Sequence, residues 1–177
     1  MADANVTKKA LADSMKKLMK EKSFDKISVI DICEGCGMNR KSFYYHFKDK
    51  YDLVNWIFYT DFIASVSNRK FRTVWDLLTA TVEMFDRDRD FYKCALEIRG
   101  QNSFREYFFD STLPIFELFL TDDGTMSEDD RRISIHYMSA AFLTIISWWL
   151  IEGKDQTPEE FVSSLKRLIR SMASVPD

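Results

Sequence analysis

At 177 residues the chain can hold one or two domains, and a composition 46% hydrophobic and 15% aromatic excludes a disordered protein. Five Gly and three Pro leave too few turn-formers for an all-β architecture, so helices with short connections are predicted. The net charge of −3 does not by itself point to nucleic acid, but it is unevenly divided: residues 1–60 carry 11 Lys/Arg against 8 Asp/Glu, and residues 61–177 carry 14 against 20. A basic end on an acidic body suits one phosphate-facing module, because phosphate binding needs only a local positive patch.

Three Cys imply no disulfide framework, and the polar start Met1–Val6 shows no secretory signal. The most apolar run, Ala140–Ile151, spans twelve residues, short of the roughly 20 needed to cross a bilayer. A cytoplasmic protein without membrane partners is expected.

In chain order, Thr7–Lys22 places Ala10, Leu11, Met15, Leu18 and Met19 at steps of three and four, which predicts an amphipathic first helix. Ser23–Ile27 breaks the pattern. Ser28 with Asp31 three residues on resembles a capping box opening a second helix, which Gly35 or Gly37 should end. Asn39 is a good N-cap for a third helix and Asp49 for a fourth, whose apolar positions Leu53, Val54, Ile57 and Phe58 run on toward Phe62. No linker follows, so the fourth helix is predicted to be shared between an N-terminal unit, residues 1–60, and a C-terminal one, residues 61–177.

Further helices are predicted over Val74–Phe85 and Arg87–Ile98. The aromatic stretch Ser103–Leu120 follows, and Pro114 should kink or divide it. Thr121–Thr125 reads as an acidic loop. Ser127 caps a long segment to Glu152, and Thr157-Pro158-Glu159-Glu160 opens a last helix with Phe161, Leu165, Leu168, Ile169 and Met172 on one stripe.

The third helix divides by period alone. Phe47 lies about 40° around the axis from Phe43, so both rings share one face. Lys41, Ser42 and Tyr45 fall near the opposite pole, with Tyr44 and His46 on the shoulders. Arg40 and Lys41 can neutralise phosphates, the hydroxyls of Ser42 and the tyrosines can bond phosphate oxygens, and tyrosine rings can lie against thymine methyls. Taken alone, the same residues equally fit a solvated helix face. Two helices joined by a glycine-bearing turn otherwise form a helix-turn-helix, whose second helix enters the DNA major groove.

Ile27-Ser28-Val29-Ile30-Asp31-Ile32, the Gly-containing turn and Phe43-Tyr44-Tyr45-His46-Phe47-Lys48-Asp49-Lys50-Tyr51-Asp52-Leu53 resemble the helix-turn-helix of TetR-type (TetR/AcrR) transcriptional regulators over about the first 60 residues. The resemblance implies an all-α, dimeric regulator with an N-terminal three-helix DNA-binding domain. A shared helix joins that domain to a helical regulatory and dimerisation domain. Ser28, Asn39, Arg40, Lys41, Ser42, Tyr44, Tyr45, His46 and Lys50 match positions that face double-stranded DNA in that family, mostly its backbone. Lys50 matches a lysine that reaches a phosphate. Where the family often has Gly or another small residue, this chain has Lys41, a long cation. The opening of the chain and Asn55-Trp56-Ile57-Phe58 also resemble a TetR subgroup that includes dihydroxyacetone-kinase operon regulators. That narrower likeness implies activation, or action with a co-regulator protein, in place of repression.

Other constellations carry less. Cys33-Glu34-Gly35-Cys36 is a C-x-x-C with no second pair, and Cys33 falls on the inward face with Ile32, so packing is the simpler reading. Nothing in the spacing assembles Cys94 and His136 into a nucleophile and base, and no enzyme or cofactor is expected. The Ser103–Leu120 aromatics fit either core or the lining of an effector cavity. Trp148, Trp149 and the last-helix stripe are expected to meet a second subunit in a four-helix interface. The reading is thus a homodimeric regulator on a near-palindromic operator, responding to a small-molecule effector or a co-regulator protein. The alternative is a helical ligand- or protein-binding module without operator binding.

Overall fold

A computed structural model describes residues 2–67, 69–120, 124–153 and 155–172. Among these residues there are nine α-helices and no strand: α1 (Ala2–Glu21), α2 (Val29–Glu34), α3 (Arg40–His46), α4 (Lys50–Val66), α5 (Val74–Arg87), α6 (Arg89–Glu97), α7 (Phe104–Phe119), α8 (Glu128–Ile151) and α9 (Pro158–Met172). A 3-10 turn, Phe24–Lys26, lies between α1 and α2. The all-α expectation holds.

The chain forms two compact units. One comprises Met1–Asp61 and Asp90–Asp110, the other Phe62–Arg89 and Ser111–Asp177. In the first, α1 buries Leu11, Met15 and Met19, α2 buries Ile32 and Cys33, α3 buries Phe43 with Phe47 just past its end, and α4 buries Leu53, Val54, Ile57 and Phe58. Each set follows the three-and-four spacing that puts apolar side chains on one helical face. Phe58 gathers a second aromatic cluster, its ring centroid 5.4 Å from those of both Phe104 and Phe108. These two members of the aromatic stretch are therefore core of the N-terminal unit.

In the second unit α5 packs on both α9 and α8. Thr73 and Asp76 form a capping box that starts α5. Trp149 is fully buried and stacks on Phe161, with ring centroids 5.0 Å apart. The Arg89 guanidinium lies 4.3 Å from the Trp149 ring centroid and donates to the carbonyls of Trp149 and Gly153. Arg89 thus adds a charged donor to two carbonyls at the end of α8 that already accept the Gly153 and Gln156 N–H groups.

Three expectations change. Trp149 belongs to its own unit's core, so only Trp148 of the pair is exposed, at 45%. Phe161 is likewise buried, while Leu168 and Ile169 on the same helix are exposed. Pro114 sits inside an undivided α7: the missing N–H removes one hydrogen bond, and the helix continues past it. Of the expected acidic loop, residues 121–123 lie outside the described residues, and so does the side chain of Met172. By length and composition alone, α8 is apolar enough to cross a membrane. It nevertheless buries Ile135, Phe142, Ile146, Trp149 and Leu150 in the fold.

Candidate nucleic-acid interface

Ser28 and Asp31 start α2 by satisfying each other's backbone. The Asp31 N–H donates to Ser28 Oγ at 3.2 Å, and the Ser28 N–H donates to Asp31 Oδ2 at 2.7 Å. Lys22 completes the cap with an ion pair to Asp31 at 3.1 Å. The Ser28 backbone and hydroxyl hydrogen bonds, helped by Lys22, hold the Asp31 carboxyl down at about 2. The expected capping box is present.

The turn between α2 and α3 needs both its glycines, for different reasons. Gly37 has φ 67°, the left-handed region that side chains disfavour. Gly35 is helical, but a Cβ there would collide with Ser14 Oγ on α1. That hydroxyl is buried and donates to the Ile32 carbonyl at 2.8 Å, so α1 is bonded directly to α2. Ser14 was not singled out from the sequence, although its signal is legible: a small polar residue three positions after Leu11, on the buried face of α1.

Asn39 caps α3 as expected, its Oδ1 accepting the Ser42 N–H at 2.9 Å. Phe43 and Phe47 anchor the helix inward with ring centroids 5.8 Å apart. Lys8 of α1 sits 5.4 Å from the Phe47 ring centroid and 5.4 Å from that of Trp56, a cation brace between the two rings. Asp49 Oδ1 accepts the Asp52 N–H at 2.8 Å and starts α4.

The outward face of α3 carries Arg40, Lys41, Tyr44 and Tyr45, all exposed, with Tyr45 at 82%. Ser42 and His46 are half-buried on its flanks, and the His46 ring meets Tyr45 edge-on at 4.9 Å. Arg40 lies 5.8 Å from the Tyr44 ring centroid. Asn39 and Ser28 are exposed at the starts of α3 and α2. Lys50 differs from the rest of the set, because its ammonium turns back to the carbonyls of Phe24 and Ile27. Loss of water around that ammonium pulls its pKa below the ordinary lysine range, against the pull of Asp25.

The C-x-x-C pair is built into packing. Cys33 is buried, and Cys36 Sγ lies 3.4 Å from the Ile32 carbonyl. Burial pushes both thiols up, which disfavours the thiolates a metal or redox centre uses. Among the described residues no group of three His, Cys, Asp or Glu could hold a metal ion.

Comparison with known proteins agrees with this geometry. Residues 4–57 match the model of a family described as bacterial regulatory proteins, tetR family. Residues 73–171 match one described as a transcriptional regulator C-terminal region. The HTH-type dhaKLM operon transcriptional activator DhaS of Lactococcus lactis subsp. lactis (strain IL1403) is 24% identical, over 99% of this chain and 95% of its own. A solved structure of a dihydroxyacetone kinase operon activator, DhaS, superposes with a TM-score of 0.67 at 24% identity, covering 94% of this chain and 96% of the other. NalD of Pseudomonas aeruginosa, a secondary repressor of the MexAB-OprM multidrug efflux pump, does so with a TM-score of 0.65 at 18% identity, covering 96% and 97%. With one family matched across the helix-turn-helix and a regulator family across most of the remainder, the chain belongs to the TetR family and is a DNA-binding transcriptional regulator.

Proposed function

We propose that this regulator works as a homodimer in the cytoplasm, on a near-palindromic operator, with residues 1–60 binding DNA and residues 61–177 dimerising and sensing a signal. The observation that supports it best is the division of α3. Phe43 and Phe47 are buried on one side, while Arg40, Lys41, Tyr44 and Tyr45 are free to meet a groove on the other. Ser28, Asn39, Ser42 and His46 complete the DNA-facing set, chiefly toward phosphates.

Dimerisation is supported by an exposed stripe on α8. Ile133, Tyr137, Ala140, Thr144 and Trp148 follow one another at helical spacing, and Tyr137, Ala140, Ala141, Thr144, Ile145 and Trp148 line a shallow apolar groove. Leu168 and Ile169 of α9 add exposed apolar surface. A two-fold pair would set two α3 helices on successive major-groove faces. An effector or co-regulator protein would then act by favouring one spacing of the two helices. The Lactococcus relative is named an activator, which supports activation of an operon as the output of this chain. No catalytic step belongs to this function.

Selection of bound sequences from random DNA by the purified protein tests the reading. Enrichment of a palindrome with half-sites about one helical turn apart is expected. Enrichment of no sequence, with weak binding that barely responds to salt, would leave a helical binding module in its place.

A further inference from the structure

The outward side of α3 has a pole and two flanks. At about 100° per residue, Lys41 and Tyr45 lie about 40° apart at the pole opposite Phe43 and Phe47. Arg40 and Tyr44 fall about 80° to 120° from that pole on one flank, and Ser42 and His46 as far on the other. Exposure follows the same order: Tyr45 is 82% exposed against 51% for Tyr44, Lys41 is exposed, and Ser42 and His46 are half-buried.

The flank residues also have partners within the module. Arg40 lies 5.8 Å from the Tyr44 ring centroid, the Ser42 hydroxyl donates to the Asn39 side-chain oxygen at 3.3 Å, and the His46 ring meets Tyr45 edge-on. Lys16 and Lys22 are paired with Asp61 and Asp31. The Lys41 ammonium has no ion pair, hydrogen bond or ring contact among the described residues, so its donors are available.

A helix laid in the major groove turns its flanks toward the phosphate walls and its pole toward the base edges on the floor. That floor is about 8.5 Å deep, which favours a long side chain. Lys41 is the one cation at the pole of α3, an ammonium on a four-carbon stem with three donors and no acceptor. Guanine offers two acceptors there, N7 and O6. Adenine sets an amino donor beside its N7, cytosine offers a donor, and thymine a single O4 beside a methyl group. A group that can only donate is matched best by guanine.

We propose that Lys41 is a specificity-determining residue that reads guanine, donating from Nζ to O6 and N7 in the major groove, while the flanks of α3 make the sequence-independent phosphate contacts. The proposal rests on the DNA-facing reading of α3 and adds the base that it recognises.

Sequences are selected from random DNA with wild type and with Lys41→Ala, and both proteins are then titrated against the wild-type duplex. Lys41 is exposed, so the variant keeps the fold. Wild type is expected to select a palindrome with a guanine in each half-site. Lys41→Ala should select the same palindrome with no preference at that one position. Replacing the guanine of one half-site by 7-deazaguanine, which lacks the N7 acceptor, should weaken wild type about tenfold and leave Lys41→Ala unchanged. Equal sensitivity of the two proteins to 7-deazaguanine overturns the proposal, as does loss of preference at a base other than guanine. So does an unchanged preference in Lys41→Ala with a slope of log affinity against log salt shallower by about 0.9 per subunit, the mark of a phosphate contact. A wild-type protein that selects no sequence removes the DNA-facing reading and the base assignment with it. Failure of the base assignment alone leaves the wild-type palindrome intact.

Discussion

Lys16 of α1 and Asp61 of α4 form an ion pair at 2.9 Å, and the Tyr92 hydroxyl of α6 donates to the same Asp61 oxygen at 2.7 Å. One carboxylate thus ties together three helices of the N-terminal unit. Lys16 also lies 5.2 Å from the Phe91 ring centroid, so its stem and charge are both in use. The pair is only partly exposed, with side chains at 23% and 32%, so water screens it less than a fully exposed ion pair.

Asp61→Ala should therefore lower the stability of the N-terminal unit by about 1–3 kcal/mol, because Lys16 and the Tyr92 hydroxyl each lose a hydrogen-bond acceptor. Denaturant unfolding of Asp61→Ala, Tyr92→Phe and the double variant gives the coupling between them. Additive effects would show that the shared oxygen does not join the two residues.

The two faces of α3 should separate cleanly by mutation. Phe43→Ala empties a fully buried site and is expected to cost about 3–5 kcal/mol in thermal or denaturant unfolding. Tyr45→Ala, at a residue 82% exposed, should leave unfolding within about 0.5 kcal/mol of wild type. It should also weaken specific DNA binding by about tenfold or more. Equal loss of stability in both variants would count against the division of the helix.

Acid should loosen α2 in a defined window. The Asp31 carboxyl titrates near 2 in the fold, lowered from 3.8 by the Ser28 bonds and Lys22. A depressed carboxylate stabilises the fold above its unfolded value, and the contribution disappears as pH falls from 3.8 toward about 2. Amide exchange of α2 should speed up over that window in wild type, relative to a reference helix of the other unit. Asp31→Asn should show α2 already loosened at neutral pH, with no further change across the window.

Arg89→Ala should destabilise the C-terminal unit by about 1.5–3 kcal/mol. It removes a charged donor from the Trp149 and Gly153 carbonyls and a cation from the Trp149 ring. Because Trp149 stacks on Phe161, the variant should also change the near-ultraviolet circular dichroism. Arg89→Lys recovers only part of this, since one ammonium cannot serve the two carbonyls, reach Asp86 and lie flat on the ring at once.

Trp148→Glu places a charge on the exposed α8 stripe and should convert the protein to monomers in sedimentation velocity. Specific DNA affinity should fall with it, since one subunit reads one half-site. A variant that stays dimeric at micromolar concentration would move the interface away from this face.

Much of the N-terminal unit was legible in the sequence because its signals are local. Ser28 with Asp31, Asn39 before α3 and the Phe43/Phe47 spacing act within one or two helical turns, and each appears in the fold as expected. The C-terminal half was less legible. Trp148 and Trp149 are neighbours in an apolar run, and composition alone could not say which one faces the core. Pro114 marked a kink or a division, and α7 is not divided.

By itself the sequence determined the helices of the DNA-binding module, the two faces of α3 and the class of regulator, since periodicity and capping depend on residues close along the chain. Only the tertiary structure decided how long-range partners use those helices. It places Lys8 between Phe47 and Trp56, Ser14 on the Ile32 carbonyl where Gly35 leaves room, and Lys50 on the turn that starts α2. Each of these pairs is more than 15 residues apart, and a side chain's reach across such a gap is set by how the helices pack, which no local pattern encodes.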